Sequence, residues 1–351
     1  MEQQCILITG AGGYIGTSLV PALLLSGHRV IAVDTFWFGR ELLAKHPNLT
    51  CIQQDSRQMP ENLLRGVDSV IDLAALSNDP CGETFSDATW EINHLSRART
   101  ARLAKQAGVR RYLLASSCSV YGFNTGTLDE TSPTKPLTTY ASANLAAERD
   151  TISLNDNNFS VTALRLATLF GFSTRMRLDL VVNSMCYSAW RHGEITVNGG
   201  GTQVRPLLYV ADAAQAFMRL LNPDIPETAG QIINIGRADQ NLQINSVAET
   251  IAQFYRTAKN RPVSIRHDGP QDVRSYRVSF EKMNRLLRWE PATSFDESLP
   301  DIARFLIHSR REELLKCHTL DWYRANNLIS TCSEAREPTP LHESNENFGS
   351  P

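Results

Sequence analysis

The chain has 351 residues, 42% of them hydrophobic, and its 35 basic and 37 acidic side chains give a formal net charge of −2 at pH 7. This length allows two lobes with cores that need no disulfide, and the seven scattered cysteines form no CxxC motif or Cys/His cluster, so neither a disulfide framework nor a metal site is indicated. Because the charge is balanced, we expect neither nucleic acid nor a membrane as a partner.

The N-terminal segment carries the most informative pattern. Apolar residues 6–8 predict a buried strand, and Gly10, Gly13 and Gly16 precede apolar residues at helical spacing over 14–26. In this order the glycines permit a tight turn, the approach of a pyrophosphate and close packing of helix on strand. Glycines also collect in ordinary loops, but the flanking strand and helix favour a dinucleotide site. Its predicted contacts are Gly10, Gly13, Tyr14, Ile15 and Gly16.

A second apolar strand, 29–33, ends in Asp34. A carboxylate at this place accepts hydrogen bonds from both hydroxyls of an adenosine ribose and repels a 2′-phosphate, so the sequence favours NAD over NADP. The aromatic run 36–38 follows directly. It either covers the adenine or packs within the protein.

Strands and helices alternate as far as residue 170. Short apolar strands are predicted at 50–53, 69–73 and 111–115, and helices over 87–107 and 140–154. This alternation is typical of a doubly wound parallel sheet, the α/β fold of Rossmann type, which binds its ligands beyond the carboxyl ends of its strands. We therefore expect the polar residues that follow these strands to converge on one edge of the sheet.

After residue 171 the pattern changes to a helix over 180–192, a strand over 194–197 and a turn of three glycines, which indicates a smaller mixed α/β substrate lobe. A strand and helix over 206–221 and a strand at 232–236 are predicted to return to the first domain. The predicted bounds are 1–171 for the NAD-binding domain, completed by about 206–236, then 172–205 and 237–329 for the substrate lobe, and 330–351 for a disordered tail.

Several motifs follow one another between residue 6 and about residue 291, namely 9–16, Asp34, Asp55, 73–75, Asn93, 116–122, Tyr140, 205–212 and 275–289. In these motifs the chain resembles the extended short-chain dehydrogenase/reductases of the NAD-dependent epimerase/dehydratase group. The resemblance implies NAD as the cofactor and a nucleotide sugar as the substrate. It also implies a homodimer formed by the helices over 87–107 and 140–154.

The resemblance makes Tyr140 the acid/base that takes a proton from a sugar hydroxyl while hydride leaves the same carbon, with Ser117 as its hydrogen-bonding partner. Structural roles stay open for both, as a tyrosine packed at a helix N-terminus and as a hydroxyl capping its own strand end. The group's YxxxK motif is broken, because Asn144 replaces the lysine that holds the nicotinamide ribose and lowers the tyrosine pKa. Asn144 can hydrogen-bond the ribose, but losing a cation at about 6 Å removes about 3 kcal/mol of phenolate stabilisation.

This departure leaves two hypotheses. In the first the enzyme is active, with a pH profile shifted to basic values or with Arg175 or Arg177 supplying the missing charge. In the second the protein binds NAD and a sugar nucleotide but turns over poorly, as a regulator.

The residues after Ser117 bear on the type of reaction. Cys118 and Ser119 occupy the two positions where similar dehydratases carry Asp and Glu. Without these carboxylates dehydration lacks its general acid and base, although the Cys118 thiol is an alternative proton donor if it is not simply a small packing residue. The sequence therefore favours a nucleotide-sugar epimerase that works through a transient keto-sugar. An NADH-dependent keto-sugar reductase and a dehydratase are the alternative enzymes.

Further contacts are implied by the resemblance. Asp55, with Ser56 beside it, is predicted to accept a hydrogen bond from the adenine amino group, and Asn93 to stabilise its helix and strand. Arg205 is predicted to clamp a diphosphate, unless it forms a surface salt bridge. The wall of the cofactor site is predicted from Leu73, Ala74 and Ala75. The predicted substrate contacts are Ser77, Ser117, Ser119, Thr168, Arg177, Asn183, Arg205 and Arg274.

The sequence also suggests a location. No uninterrupted apolar stretch reaches membrane-spanning length, and the first strand follows the N-terminus without an apolar signal segment. The cytoplasm is therefore the predicted compartment.

Overall fold

A computed structural model describes residues 3–124, 126–222, 224–269 and 275–329. Arg274 and the tail over 330–351 lie outside these residues. The strands are β1 Cys5–Thr9, β2 Arg29–Asp34, β3 Leu49–Gln53, β4 Ser69–Asp72, β5 Arg111–Ser117, β6 Thr127–Leu128, β7 Ser160–Leu166, β8 Thr168–Phe170, β9 Glu194–Val197, β10 Val204–Tyr209, β11 Gln231–Ile235, β12 Asn241–Gln243, β13 Ser264–His267 and β14 Arg277–Val278.

The helices include a long interrupted one, in which the π-helical segment Glu91–Ser96 connects α3 to α4. The α-helices are α1 Gly16–Leu25, α2 Asp79–Thr84, α3 Ser86–Trp90, α4 Arg97–Gln106, α5 Thr139–Ile152, α6 Val181–His192, α7 Val210–Leu220, α8 Ile244–Ala258, α9 Glu281–Leu287, α10 Leu299–His308, α11 Arg311–Cys317 and α12 Thr319–Ala325.

The main sheet has seven parallel strands in the order β3-β2-β1-β4-β5-β7-β11. The chain proceeds from β1 to β2 and β3 on one side, then crosses to β4 on the other side. Ile8 of β1 is consequently paired with both Ala32 and Ile71. In such sheets ligands bind where the strand order reverses, outside the carboxyl ends. The predicted doubly wound fold is confirmed, and the glycine turn after β1 lies at this reversal point.

Alternating side chains of β1 show how the sheet is covered on both faces. Ile6 and Ile8 belong to a core that includes Leu19 of α1 and other residues of α1 and α7. Leu7, which points to the opposite face, belongs to a second core with Ala101 of α4 and Ala147 of α5. Because both faces are buried, the strands are apolar throughout.

The second lobe has small sheets of its own. Strands β8, β10 and β12 form one sheet and β9 pairs with β13, while α6, α8 and α10 supply a separate apolar core. The strand predicted to return to the first domain at 206 is β10, and it pairs with β8 and β12 rather than joining the main sheet. The seventh strand is instead β11, and α7 after β10 does pack on α1.

The helices predicted at 87–107, 140–154 and 180–192 are present within two residues of their predicted ends, the first with its π-helical interruption. Across the described part of the chain, none of the helices has the length and apolar character needed to cross a membrane.

Candidate active site

A cavity of about 550 Å³ opens at the carboxyl ends of β1, β4 and β5 and reaches the second lobe. Its volume is typical of a small-molecule site, for which about 300–1,000 Å³ is usual. The walls come from the glycine turn, the ends of the parallel strands, the first turn of α5 and the residue Arg205 on β10. Both lobes therefore contribute to one site, as the α/β topology predicts.

The glycine turn has a backbone that excludes side chains. Gly10 has a φ of +67°, and a Cβ there would lie 2.8 Å from the backbone nitrogen of Ala74. A Cβ on Gly13 would lie 3.0 Å from the carbonyl oxygen of Gly10, and one on Gly16 would lie 2.3 Å from the preceding turn. A turn so bare, at the N-terminus of a helix, fits a pyrophosphate. The cavity is bordered here by Gly10, Gly13, Tyr14 and Ile15.

Asp34 borders the cavity at the end of β2. Its carboxylate accepts hydrogen bonds from the backbone N–H groups of Gly12, at 2.9 Å, and Phe36, at 2.7 Å. Burial raises the pKa of Asp34, and these two hydrogen bonds act in the opposite direction. Because each carboxylate oxygen can accept more than one hydrogen bond, Asp34 keeps the capacity to bind ribose hydroxyls.

The aromatic run after Asp34 packs within the protein, and its contact with adenine stays a prediction. Trp37 and Phe38 border the cavity, and their rings also lie 5.6 and 5.7 Å from the ring of Tyr323 on α12. Helix α12 thus supports the wall of the site, which the sequence pattern did not predict.

Asp55 and Ser56 border the same end of the cavity. The Asp55 carboxylate accepts hydrogen bonds from the backbone and the guanidinium of Arg57, with 2.7 Å between Asp55 Oδ2 and Arg57 Nη2. This ion pair fixes the carboxylate, and its contact with adenine stays a prediction.

Tyr140 lies in the first turn of α5, which is capped by Thr138. The Thr138 hydroxyl accepts a hydrogen bond from the backbone N–H of Ala141 at 3.2 Å. A Cβ on Gly82 of α2 would lie only 2.9 Å from the Cβ of Tyr140, so a glycine is needed for α2 to pack here. The turn is therefore held from two sides.

The electrostatics of the Tyr140 phenol are mixed. Burial raises its pKa above the usual value, and the Asp79 carboxylate raises it further. The Arg97 guanidinium is the strongest influence that lowers this pKa, followed by a hydrogen bond with Ser117 and by Arg177.

Ser117 and Ser119 border the cavity beside Tyr140. The Ser117 hydroxyl accepts a hydrogen bond from the Ser119 N–H at 3.1 Å, which caps the end of β5. Its role as partner of the phenol stays a prediction. The Ser119 hydroxyl is buried and has no partner among the residues that the structure describes. It is thus available to a ligand.

Cys118 does not belong to the site, and its prediction as a catalytic residue is corrected. The side chain is fully buried, and its thiol donates to the carbonyl oxygen of Arg165 on the neighbouring strand at 3.3 Å. Burial raises the pKa of the Cys118 thiol far above its usual range. It is a packing residue.

Asn144 borders the cavity, but its side chain is already bound on both sides. Its Nδ2 donates to the carbonyl oxygen of Tyr140 at 2.8 Å, and its Oδ1 accepts from Arg97 Nη1 at 2.9 Å. A cation therefore lies against the Asn144 amide, and it is Arg97, which is neither of the two arginines expected to replace the lysine.

Arg175 and Arg177 were the cations expected to replace the lysine. Arg175 instead stacks on Phe38, with its guanidinium carbon 3.6 Å from the ring centre, and donates to Thr319. Arg177 forms an ion pair with Asp179 at 2.8 Å. Of the two, Arg177 lowers the pKa of Tyr140, and it does so less than Arg97.

Most of the predicted wall and substrate residues border the cavity. Arg177 donates to the Ser77 hydroxyl at 2.9 Å, and the Arg205 guanidinium lies over the Tyr276 ring at 5.5 Å from its centre. The predicted residues on this border are Leu73, Ala74, Ala75, Ser77, Thr168, Arg177 and Arg205.

Asn183 does not border the cavity, and its predicted substrate contact is corrected. It is completely buried, accepts from the Gly171 N–H at 2.9 Å and donates to the carbonyl oxygen of Arg177 at 2.9 Å. It therefore fastens the loop that carries Arg177. Arg274 lies outside the described residues.

The comparisons with known proteins agree with this geometry. The model of the NAD dependent epimerase/dehydratase family matches residues 6–236. The chain belongs to this family. The predicted family, the NAD-dependent enzyme class and the cofactor are thereby confirmed at the level of the family.

Individual relatives share about a quarter of their residues with this family member. UDP-glucuronic acid decarboxylase 1 of Danio rerio is 27% identical over 314 residues, covering 85% of this chain and 71% of that protein. The uncharacterized UDP-glucose epimerase YtcB of Bacillus subtilis (strain 168) is 26% identical over 318 residues, covering 86% and 97%. The structure of MoeE5 in complex with UDP-glucuronic acid and NAD superposes with a TM-score of 0.76 at 27% identity, covering 87% and 99%.

Arg97 is the residue of this site that the sequence predictions missed, although a signal for it exists in this member of the family. Asn93, Arg97 and Ala101 follow one another at four-residue spacing in a helix whose face is otherwise small or apolar, which predicts a buried arginine that needs partners. The same face confirms the structural role of Asn93, which exchanges two hydrogen bonds with the backbone of Leu76.

Proposed function

We propose that the protein is an NAD-dependent nucleotide-sugar epimerase that inverts C4 of a UDP-linked hexose or hexuronic acid through a transient ketone. One observation carries the proposal: Tyr140 and Ser117 border a single cavity with the glycine turn, while neither residue after Ser117 provides a carboxylate. The names of the relatives, which include UDP-glucose and UDP-glucuronic acid enzymes, support the choice of substrate.

The residues that would hold NAD are those of the glycine turn, together with Asp34 and the strand-end residues 73–75. When bound, NAD supplies the site that accepts a hydride and returns it. Tyr140 Oη takes the proton of the C4 hydroxyl, because an alcohol becomes a ketone only if both a hydride and a proton leave. The same Oη returns that proton to the ketone oxygen after the sugar has turned, while Ser117 Oγ hydrogen-bonds the oxygen throughout.

On the substrate side, Arg205 provides the charge for a diphosphate. A guanidinium offers a planar set of donors that suits phosphate oxygens, and the Tyr276 ring beneath it helps to fix its plane. The hydroxyls of Ser119 and Thr168 lie on the cavity wall, where a sugar needs hydrogen-bonding partners. These contacts position the sugar and do not take part in proton transfer.

A decarboxylase is the second candidate, and it is favoured by the relatives of that name. Oxidation of a glucuronic acid at C4 places a ketone β to the carboxylate, and such an acid can lose CO2. Both candidates thus share the oxidation in which Tyr140 takes the proton, and they differ in the fate of the ketone.

Product analysis separates these activities. The purified protein is incubated with NAD and, separately, with UDP-glucose and UDP-glucuronic acid, and the products are identified by NMR. An epimerase gives the C4 epimer with no net change in NADH, a decarboxylase releases CO2 and a pentose nucleotide, and a reductase consumes added NADH with a keto-sugar. No product from either sugar would contradict the proposal. Thermal stabilisation by a sugar that is not converted would then favour the regulator, which binds a sugar nucleotide without turning it over.

We also propose that the protein is a homodimer. Trp90 and Leu95 lie on the long helix formed by α3, the π-helical segment and α4. They are 37% and 56% exposed, so this helix presents apolar surface that a partner subunit could cover. Sedimentation at micromolar concentration tests this proposal, and Leu95→Glu should give monomers if this helix forms the interface.

A further inference from the structure

The side chain of Arg97 is buried and borders the cavity of the proposed active site. It is only 2% exposed, and the residue directly follows the π-helical segment Glu91–Ser96. Its Nε donates to the carbonyl oxygen of Ala74 at 2.8 Å, and its Nη1 donates to that of Ala115 at 3.0 Å and to Asn144 Oδ1 at 2.9 Å. The cation thus joins the ends of β4 and β5 to α5.

The charge of Arg97 is only partly compensated. Its nearest carboxylate, Asp72, lies 3.8 Å away, beyond hydrogen-bond distance, and accepts hydrogen bonds from the hydroxyls of Thr9 and Tyr112 instead. All the hydrogen bonds that the guanidinium donates go to neutral oxygens. Nη2 has no hydrogen-bond partner within the described ranges, and the side chain borders the cavity. A cation in such surroundings acts strongly on its neighbours, because little water screens it.

The neighbour that matters is the turn of helix carrying the acid/base. Asn144, which Arg97 binds, is one turn after Tyr140 and donates to its carbonyl oxygen at 2.8 Å. Arg97, Asn144, Ser117 and Tyr140 all border the same cavity. The charged groups that act on the phenol are Arg97 on α4, Asp79 on α2 and Arg177 on the loop before α6. Two further carboxylates lie nearby, since Glu83 of α2 accepts a hydrogen bond from the Thr139 N–H and Asp72 at the end of β4 lies 3.8 Å from Arg97.

We propose that Arg97 is a positioning residue that supplies the positive charge beside the Tyr140 phenol, and that Asn144 relays its position to the first turn of α5. The proposal rests on the proposed function of Tyr140 as the acid/base. It also explains Asn144. A lysine at position 144 would bring an ammonium group against the guanidinium, where an amide oxygen now accepts its hydrogen bond, and two adjacent buried cations repel each other.

A purely structural role is the competing explanation, since Arg97 also fastens two strand ends. The two roles differ in what they do to the phenol. A structural clamp affects the free energy of unfolding, whereas a charge affects the pKa of Tyr140. Loss of the cation leaves burial and Asp79 to act on the phenol with less opposition, so the pKa rises and less phenolate is present at any given pH.

The test measures that pKa without substrate. Phenolate absorbance in the near ultraviolet is titrated for the protein and for Tyr140→Phe, with and without NAD, and the difference gives the titration of Tyr140. In Arg97→Met this titration should move upward by about one pH unit or more, and in Arg97→Lys it should stay close to that of the unchanged protein. Arg102→Met, an exposed arginine of the same helix, is the matched control and should have no effect.

A charge relocation completes the test. In Arg97→Met combined with Asn144→Lys the single cation returns on α5, and the Tyr140 titration should move back toward that of the unchanged protein. Arg97→Gln replaces Arg97→Met if thermal unfolding shows the latter to be unfolded. An unchanged titration in a folded neutral variant, or a double variant that titrates like the neutral one, overturns the proposal. Because no substrate is present, neither result depends on whether the epimerase assignment is correct.

Discussion

The glycine turn after β1 and the first turn of α5 both border one cavity, yet they are built in different ways. At the glycine turn the critical atoms are close in sequence, and the nearest long-range neighbour is the backbone of Ala74. At Tyr140 the critical partners are far away in the chain, since Arg97 reaches Asn144 across 47 residues. The conformation of the glycine turn is thus specified by backbone sterics, whereas the surroundings of Tyr140 are specified by charged and polar residues that are distant in the sequence.

Replacing the phenol should give the largest effect. In Tyr140→Phe the proton acceptor is lost while the aromatic ring is kept, so kcat should fall by about 10²–10⁴-fold with little change in the melting temperature. Steady-state kinetics with whichever sugar proves active, together with NAD binding by calorimetry, check this. Undiminished turnover would show that Tyr140 is not the acid/base.

Adding one carbon to the glycine turn tests the part of the site that is predicted to bind NAD. Gly10→Ala places a Cβ 2.8 Å from backbone atoms at a positive φ, so we expect a loss of about 3 kcal/mol or more in the free energy of unfolding and loss of NAD binding. Gly66→Ala is the control, because its φ is +70° but its Cβ would meet nothing within 4 Å. It should cost only about 1–2 kcal/mol. Equal losses in urea unfolding would contradict the account of the turn.

Asp34 tests the selectivity of that part of the site. Asp34→Ser removes the carboxylate that would repel a 2′-phosphate, and it should improve the affinity for NADP relative to NAD by about tenfold, which corresponds to about 1.4 kcal/mol. Calorimetric titration with both dinucleotides gives the ratio. If the ratio does not move, the ribose is bound elsewhere.

The smallest effects separate two adjacent residues that follow β5. Ser119→Ala removes an unpartnered hydroxyl from the cavity and should raise KM by roughly fivefold, the equivalent of one hydrogen bond. Cys118→Ala removes a buried thiol that does not border the cavity, so kcat and KM should stay within about twofold, at a cost of about 1 kcal/mol in stability. A large loss of kcat in Cys118→Ala would restore the thiol as a proton donor.

The same contrast explains what could be predicted from the sequence. The parallel sheet, the glycine turn and Asp34 follow from hydrophobic periodicity and from residues adjacent in the chain. Cys118 and Asn183 are adjacent in the chain to residues that border the cavity, but their own side chains point elsewhere. The direction of a side chain depends on which neighbours it packs against, and the sequence does not specify these. β10 was predicted as a strand, but strand periodicity does not specify a partner, and β10 pairs with β8 rather than with the main sheet.

Arg97 shows the limit most clearly. An asparagine at position 144 indicates a lost charge only if its neighbourhood is assumed to contain no other cation. That assumption cannot be checked along the chain, because the compensating residue lies in another helix. The helical spacing of Asn93, Arg97 and Ala101 predicts burial, but not the partner.

The central claim is that hydride leaves and returns to one sugar carbon while Tyr140 moves the proton. It is tested most directly with a UDP-sugar deuterated at C4, incubated with the protein and NAD in ordinary water and monitored by NMR and mass spectrometry. The account predicts a C4 epimer that retains its deuterium, because the label passes to the nicotinamide and returns without meeting solvent. An epimer whose C4 deuterium has exchanged for hydrogen from water would contradict it.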